Sequence, residues 1–242
     1  MIAQKIIFYP TIPGIDKTMP ILSADKIVHN WKQEAAREFK NQKNDLGHTI
    51  HSISNCPGIN TLQSQGYVVR AWQDIYIKAG SPHDKIQWRT PIDQQKINGS
   101  PAIEEHQDSL FKTFQHWPHH SSRSVIKFIT GWCCKIPNDY MLIQTPVFYA
   151  DDNRFTALSG IYSSDYGINN INVPVFWHNL NEETVIKAGT PLAQLIAVPK
   201  ESLELEIKTD ISKEALTINY ILMNNTFVRN YAKIKSFFQG NH

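Results

Sequence analysis

From Gly47 onward the chain is written in short runs that alternate apolar and polar residues and are rich in β-branched and aromatic side chains. They are "HTIHSIS", "GYVVRAWQDIYIKAG", "VIKFITGWCCKIP", "DYMLIQTPVFY", "INNINVPVFWHNL", "ETVIKAG", "PLAQLIAVP" and "SLELEIK". Gly, Pro, Asn and Asp separate them at short intervals. A period of two sends successive side chains to opposite faces, so each run presents one apolar face, and many such strands in series make a sandwich or a barrel. No strand–helix–strand alternation and no internal repeat is present, which excludes a doubly wound α/β sheet or a solenoid. With 41% hydrophobic residues over 242 positions, the chain can bury a substantial core.

The flanks have a different character. Residues 1–46 open with "KIIFYP" (Lys5–Pro10), a short strand stopped by proline, and continue through the turn-rich "TIPGIDKTMP". A helix is expected over Ser23–Gln42, with Ser23 as its cap and Ile27, Trp31, Ala35 and Phe39 along one face. The β region spans 47–208 and is broken at 81–123 by a polar insert, too long for a plain hairpin loop and therefore expected to carry structure or function of its own. Residues 209–242 form a tail in which a helix is expected around Asn225–Phe238.

A formal charge of +2 and the absence of any Lys/Arg run give no indication of nucleic acid or an anionic membrane as partner. No apolar stretch approaches the ~20 residues needed to cross a bilayer, and the N-terminus lacks a basic then apolar secretion signal. Three cysteines, Cys56, Cys133 and Cys134, make no disulfide framework. The adjacent pair faces opposite ways in a strand and suits no shared metal, so free thiols in a reducing compartment are expected.

Four segments, in order, carry a resemblance. "GYVVRAWQDIYI" (Gly66–Ile77) is similar to the Gly-Tyr-Asp-Leu strand of the dUTPase/dCTP deaminase superfamily, and "FITGWCCKIPNDYMLIQTP" (Phe128–Pro146) to the strand pair leading to its Pro-Arg-Ser element. "GIYSSDYG" (Gly160–Gly167) resembles its Gly-Val-Ile-Asp-x-Asp-Tyr-Arg-Gly turn, and "VIKAGTPLAQLIAVP" its closing strands. Over nearly the whole chain, "IIFYPT", a tryptophan-bearing helix, "HTIHSISNCPGINTLQSQGYVV" and "KFITGWCCKIPNDY" resemble an uncharacterised family common in phage genomes. The chain departs from that family at Gly131-Trp132 and Ile136-Pro137, where Pro-Trp and Lys-Thr-Pro are usual. The resemblance implies a mainly β, dUTPase-like β-clip barrel with an N-terminal strand–helix extension, the long insert and a C-terminal helix. It also implies a homotrimer with sites shared between subunits.

Residue by residue, the chemistry of that superfamily is missing. Splitting a bond between phosphates needs a carboxylate to activate water, metal to organise the phosphates, and cationic and hydroxyl donors. The resemblance places the water-activating acid at Ser163, the acid of the Gly-Tyr-Asp-Leu strand at Val68, and the Arg-Ser pair at Val147-Phe148. Asp165 keeps the second acid of its turn. If a pocket survives, Asp165, Tyr166, Tyr67, Thr145 and Gln194 are its nearest residues. Each also has a plain structural reading: a turn Asp bonds backbone amides, a Tyr packs its ring, and Gln194, inside the apolar "LAQLI", must find a partner.

The insert offers a second constellation. His106, His116, His119 and His120 lie near Glu104, Glu105 and Asp108, but the spacing matches no metal signature and Pro118 breaks a helical face between His116 and His120. No metal and no cofactor are expected; His106, His116 and His120 are the weak candidates. Trp117 is a candidate anchor for a partner. The expectation is therefore a non-catalytic, oligomeric binding or structural protein of phage origin, found in the virion or the host cytoplasm and contacting its own copies or other virion or host proteins. The alternative is a nucleotide-binding or nucleotide-hydrolysing enzyme with a rearranged pocket.

Overall fold

In the computed structural model, which describes residues 4–45, 47, 50, 52–106, 111, 113–114 and 117–207, the N-terminal strand is not an appendage but a member of the main sheet. In chain order the first elements are β1 (Ile7–Pro10), α1 (Ile15–Thr18), β2 (Leu22–Ser23), α2 (Asn30–Glu38), α3 (Pro57–Ser64), β3 (Tyr67–Arg70) and β4 (Ile75–Lys78). The insert supplies β5 (Gln87–Arg89), α4 (Gln94–Asn98) and β6 (Ile103–His106). Then come β7 (Val125–Lys135), β8 (Tyr140–Thr145), β9 (Phe155–Ala157), β10 (Gly160–Ser163), β11 (Ile168–Trp177), β12 (Glu183–Ile186) and β13 (Pro191–Pro199).

The fold is mainly β, and its described strand pairs are antiparallel. One sheet runs β1-β7-β11-β9, with β6 on the other half of β7; a second runs β10-β8-β13-β3-β2; a third runs β12-β4-β5. The long β7 takes β1 at Trp132–Lys135 and β6 at Val125–Phe128. Between these halves Thr130 and Gly131 bulge out of register with β11. Gly131 is required there: its φ is 76°, and a Cβ would lie 2.5 Å from Ile12 Cδ1. The core fills the space between the sheets, with Trp177, Phe128, Ile77, Ile126, Leu142 and Leu195 fully buried.

Three sequence expectations are corrected. The helix expected from Ser23 begins at Asn30, because Leu22–Ser23 is held extended against β3 and the Ala24 amide bonds the Gly66 carbonyl at 2.9 Å. Where described, "HTIHSIS" is not a strand: Ile53–Asn55 is a 3-10 turn leading into α3, which starts on Pro57. "SLELEIK" alternates but forms no strand through Ile207. The chain divides into two units, Met1–Glu201 and Ser202–His242, and the helix expected around 225–238 lies outside the described residues. No helix among the described residues is long and apolar enough to cross a membrane.

Candidate functional site

The turn between β10 and β11 is a short 3-10 helix, Ser164–Tyr166, and Ser163 caps it. Ser163 Oγ accepts the Asp165 amide at 3.2 Å and donates its proton to Asp165 Oδ2 at 2.7 Å. Lys200 Nζ binds the other oxygen, Oδ1, at 2.7 Å. Lys200 first, then Ser163, hold the Asp165 carboxyl below the usual carboxylate range. Both oxygens of the surviving acid are thus engaged, and a lowered pKa makes it a weaker base. Tyr166, beside it, is 79% exposed.

A groove of about 720 Å³ flanks this pair, lined by Gln4, Ile6, Asp139, Tyr140 and Glu201 among others. Its two carboxylates disfavour a polyanion such as a nucleotide triphosphate, and the nearby Lys200 ammonium is already committed to Asp165.

The other candidates lie elsewhere on the same sheet. Thr145, Gln194 and Val68 form one row across β8, β13 and β3, and Tyr67 stands beside Leu195 in the next row. Ser163 pairs with Met141, at the opposite end of β8 from Thr145. Four residues of strand separate the two groups, about 13 Å. The fold therefore brings Thr145 and Gln194 together on one face, turns Tyr67 to the opposite face, where its ring meets Phe8, and sets Asp165 with Tyr166 at the far end of β8; it does not join these groups within one protomer.

Around Val68 there is no polar cleft. Val68 is fully buried and packs with Ala24 and Val147, with Ile27 against them. Val147 is 8% exposed, so the position matched to a phosphate-binding Arg holds a hydrocarbon side chain, one face of it on the Val68–Ala24 cluster. The Phe148 backbone is held at both ends: its N–H bonds Gln194 Oε1 at 3.3 Å, and Gln63 Nε2 donates to its carbonyl at 3.2 Å. Gln194, 1% exposed, also donates to the carbonyls of Leu62 at 3.2 Å and Gln65 at 2.6 Å, which ties α3 to β13. Thr145 Oγ1 turns back to the Pro146 carbonyl at 2.9 Å.

The chain continues from Phe148 into a tightly bound loop. Tyr149 adopts φ 55°, a left-handed conformation that costs an ordinary residue about 1–2 kcal/mol. Trp31 Nε1 donates to its carbonyl at 2.9 Å. Asp151 accepts the Asn30 and Trp31 amides at 2.8 and 3.3 Å and so caps α2 from across the fold. Asp152 and Arg154 form a close pair, with Arg154 Nη1 on the Val185 carbonyl at 2.6 Å. Two cavities of about 260 and 190 Å³ share Val147, Ala150, Asp152 and Pro191. Nothing local in the sequence marked this loop or His29 beside it; the contacts join segments about 120 residues apart.

In the insert, Trp117 is 9% exposed and turns inward against Val125 and Phe176, its Nε1 bonding the Ser122 carbonyl at 3.0 Å. His106 ends β6 opposite Val125, His119 and His120 are exposed in a turn, and His116 lies outside the described residues. Among the described residues no three His, Cys, Asp or Glu side chains gather to hold a metal. A histidine the sequence did not flag, His178, is bracketed by Ser121 Oγ and Thr156 Oγ1, each at 2.7 Å. Burial holds its pKa below the usual imidazole value, and the neutral ring donates to one hydroxyl and accepts from the other.

No protein-family model and no curated protein matches the chain. Among solved structures it is similar to a dUTPase from phage phi11 of S. aureus, at 14% identity and TM-score 0.31, over 61% of this chain and 84% of that one. It is similar also to the Staphylococcus bacteriophage 80alpha dUTPase, at 14% identity and TM-score 0.30, over 61% of this chain and 84% of that one. At such identity and TM-score the likeness says nothing of catalysis.

Proposed function

We propose that the chain is a non-catalytic protein of dUTPase-like architecture that works as an oligomer, most simply a homotrimer, in a binding or structural role in a phage particle or in its host. The observation that carries this reading is the fate of the positions the resemblance assigns to catalysis. Ser163 is spent on capping a turn, and Val68 and Val147 are packed into an apolar cluster. The Phe148 backbone is held by two glutamines. Loss of a positioned general base alone removes ~10²–10⁴ in rate, and the cationic and hydroxyl donors are replaced by hydrocarbon as well.

Oligomerisation is supported by the apolar side chains that the outer rims of the sheets leave in water: Ile161, Tyr166 and Ile168 around the β10–β11 turn, with Ile7 and Tyr9 on β1. The test is purified full-length chain incubated with deoxyuridine triphosphate, assayed for pyrophosphate, with mass measured by light scattering. The reading expects no turnover above background and a mass of three chains. Turnover at ordinary enzymatic rates would overturn the non-catalytic part, and a monomer the oligomeric part. Recovery of the chain from purified particles by mass spectrometry separates a virion role from a host one.

A further inference from the structure

We propose that Pro146–Asp152 is a pH-responsive clasp, shut over its cavity while His29 is neutral and released when His29 is protonated. This stands apart from the question of catalysis and rests on the geometry of the loop.

The loop is held by anchors from three elements. Gln194 of β13 and Gln63 of α3 take the N–H and the carbonyl of Phe148, Trp31 of α2 takes the Tyr149 carbonyl, and Asp151 takes two amides of the first turn of α2. The bound form includes the left-handed Tyr149, a conformation that persists only while its surroundings impose it. A segment with a strained residue and anchors on separate elements is suited to two states, seated or free.

His29 sits where those anchors converge. It precedes α2, is 7% exposed, and lines the 260 Å³ cavity with Val147, Ala150, Asp151 and Asp152. The charges around it are Lys32 from α2, Asp151 and Asp152 from the loop, and Arg154 of the β9 segment; Asp25 and Lys26, upstream, pair with each other at 3.3 Å. Asp152 is neutralised by Arg154, and Asp151 spends its charge on the helix amides. An imidazolium would therefore sit, largely removed from water, at the positive end of a helix and near Lys32.

The sign follows. Burial first, then Lys32, hold the His29 pKa below its ordinary value, outweighing the Tyr149 carbonyl and Asp151. The clasped state is favoured above the ordinary imidazole range. As pH falls through it, the released state takes up a proton that the clasped state refuses, so the released population grows by up to tenfold per pH unit. Protonation of Asp151 would also loosen the loop, but only in the carboxylate range, well below this window.

The test is amide hydrogen exchange on the full chain at Asn30, Trp31 and Phe148, corrected for intrinsic chemistry, between about pH 7.5 and pH 5.5. Protection is expected to fall severalfold, at most about tenfold for one proton taken up over this range, in the wild type and to stay level in His29→Gln. A level wild type, or an equal fall in the variant, overturns the proposal. Should His29→Gln not fold, NMR titration of the His29 ring in the wild type decides: a midpoint at or above the ordinary imidazole value overturns it, and a lower midpoint together with the wild-type loss of protection supports it.

Discussion

Gln63 and Gln194 hold the backbone of Phe148 through two successive peptide groups, one on its carbonyl and the other on its N–H. Both side chains are buried. The stretch that resembles a phosphate-binding Pro-Arg-Ser element has thus not merely lost its donors: its backbone at Phe148 is bound by side chains from α3 and β13.

The two glutamines are not equivalent, and stability measurements should separate them. Gln194 serves the carbonyls of Leu62 and Gln65 and the N–H of Phe148. Gln194→Leu takes the amide partner from these part-buried groups, which should cost about 1–3 kcal/mol in urea unfolding. Gln63 makes one such bond and already leaves its Oε1 without a partner. Gln63→Leu should cost about 1 kcal/mol or less. Equal losses would contradict the assignment.

Restoring the missing acid should not restore hydrolysis. In Ser163→Asp the new carboxylate would meet Asp165, whose Oδ2 now lies 2.7 Å from the serine hydroxyl, and would compete with it for Lys200. Like charges at that range raise the pKa of one of them, and Val147 still offers no cation to a phosphate. Pyrophosphate release from deoxyuridine triphosphate is expected to stay at background. Appearance of turnover would mean that a single side chain had been withholding the activity.

Lys200 is the main cause of the lowered Asp165 pKa, so Lys200→Met should move it upward toward the ordinary carboxylate value. The support this pair gives is present above the ordinary Asp range and is lost as pH falls through the lowered value, since only the ionised carboxylate attracts the ammonium. NMR titration of the Asp165 side chain in both proteins is the check; an unmoved midpoint would assign the shift to Ser163 instead.

Strands β3, β4, β7, β8, β11, β12 and β13 were legible because their patterns are local: alternation and β-branching mark a pleated, half-buried surface whatever it pairs with, whereas the three- and four-residue β9 and β10 are too short to show a period. The helices were harder. The start of α2 is set by Asp151, a cap about 120 residues away, so no neighbouring residue announces it. α3 was hidden behind the alternation of "HTIHSIS", and its one clear mark was Pro57 in the first turn. "SLELEIK" has a strand's pattern but joins no sheet through Ile207, and alternation alone makes no strand. At the candidate site, the need of Gln194 for a partner could be read from its apolar neighbours, but the identity of that partner could not. The separation of Asp165 from Thr145 is a matter of strand register, which composition does not encode.

The cysteines give a chemical check on the same packing. Cys134 is fully buried on the inner face of β7, and burial, with Cys133 next to it, pushes its thiol up to about 12. Cys133, largely buried, is raised by the same cause, and its Sγ donates to Asn170 Oδ1 at 2.9 Å. Thiolate is the reactive form, so at about pH 8 both should resist alkylation in the native state. Cys56, half-exposed just before α3, should be labelled first. Iodoacetamide followed by peptide mass spectrometry should find Cys56 modified and the β7 pair protected, with all three reacting in denaturant. Native labelling of Cys134 at the rate of Cys56 would mean that β7 is not the buried centre of its sheet.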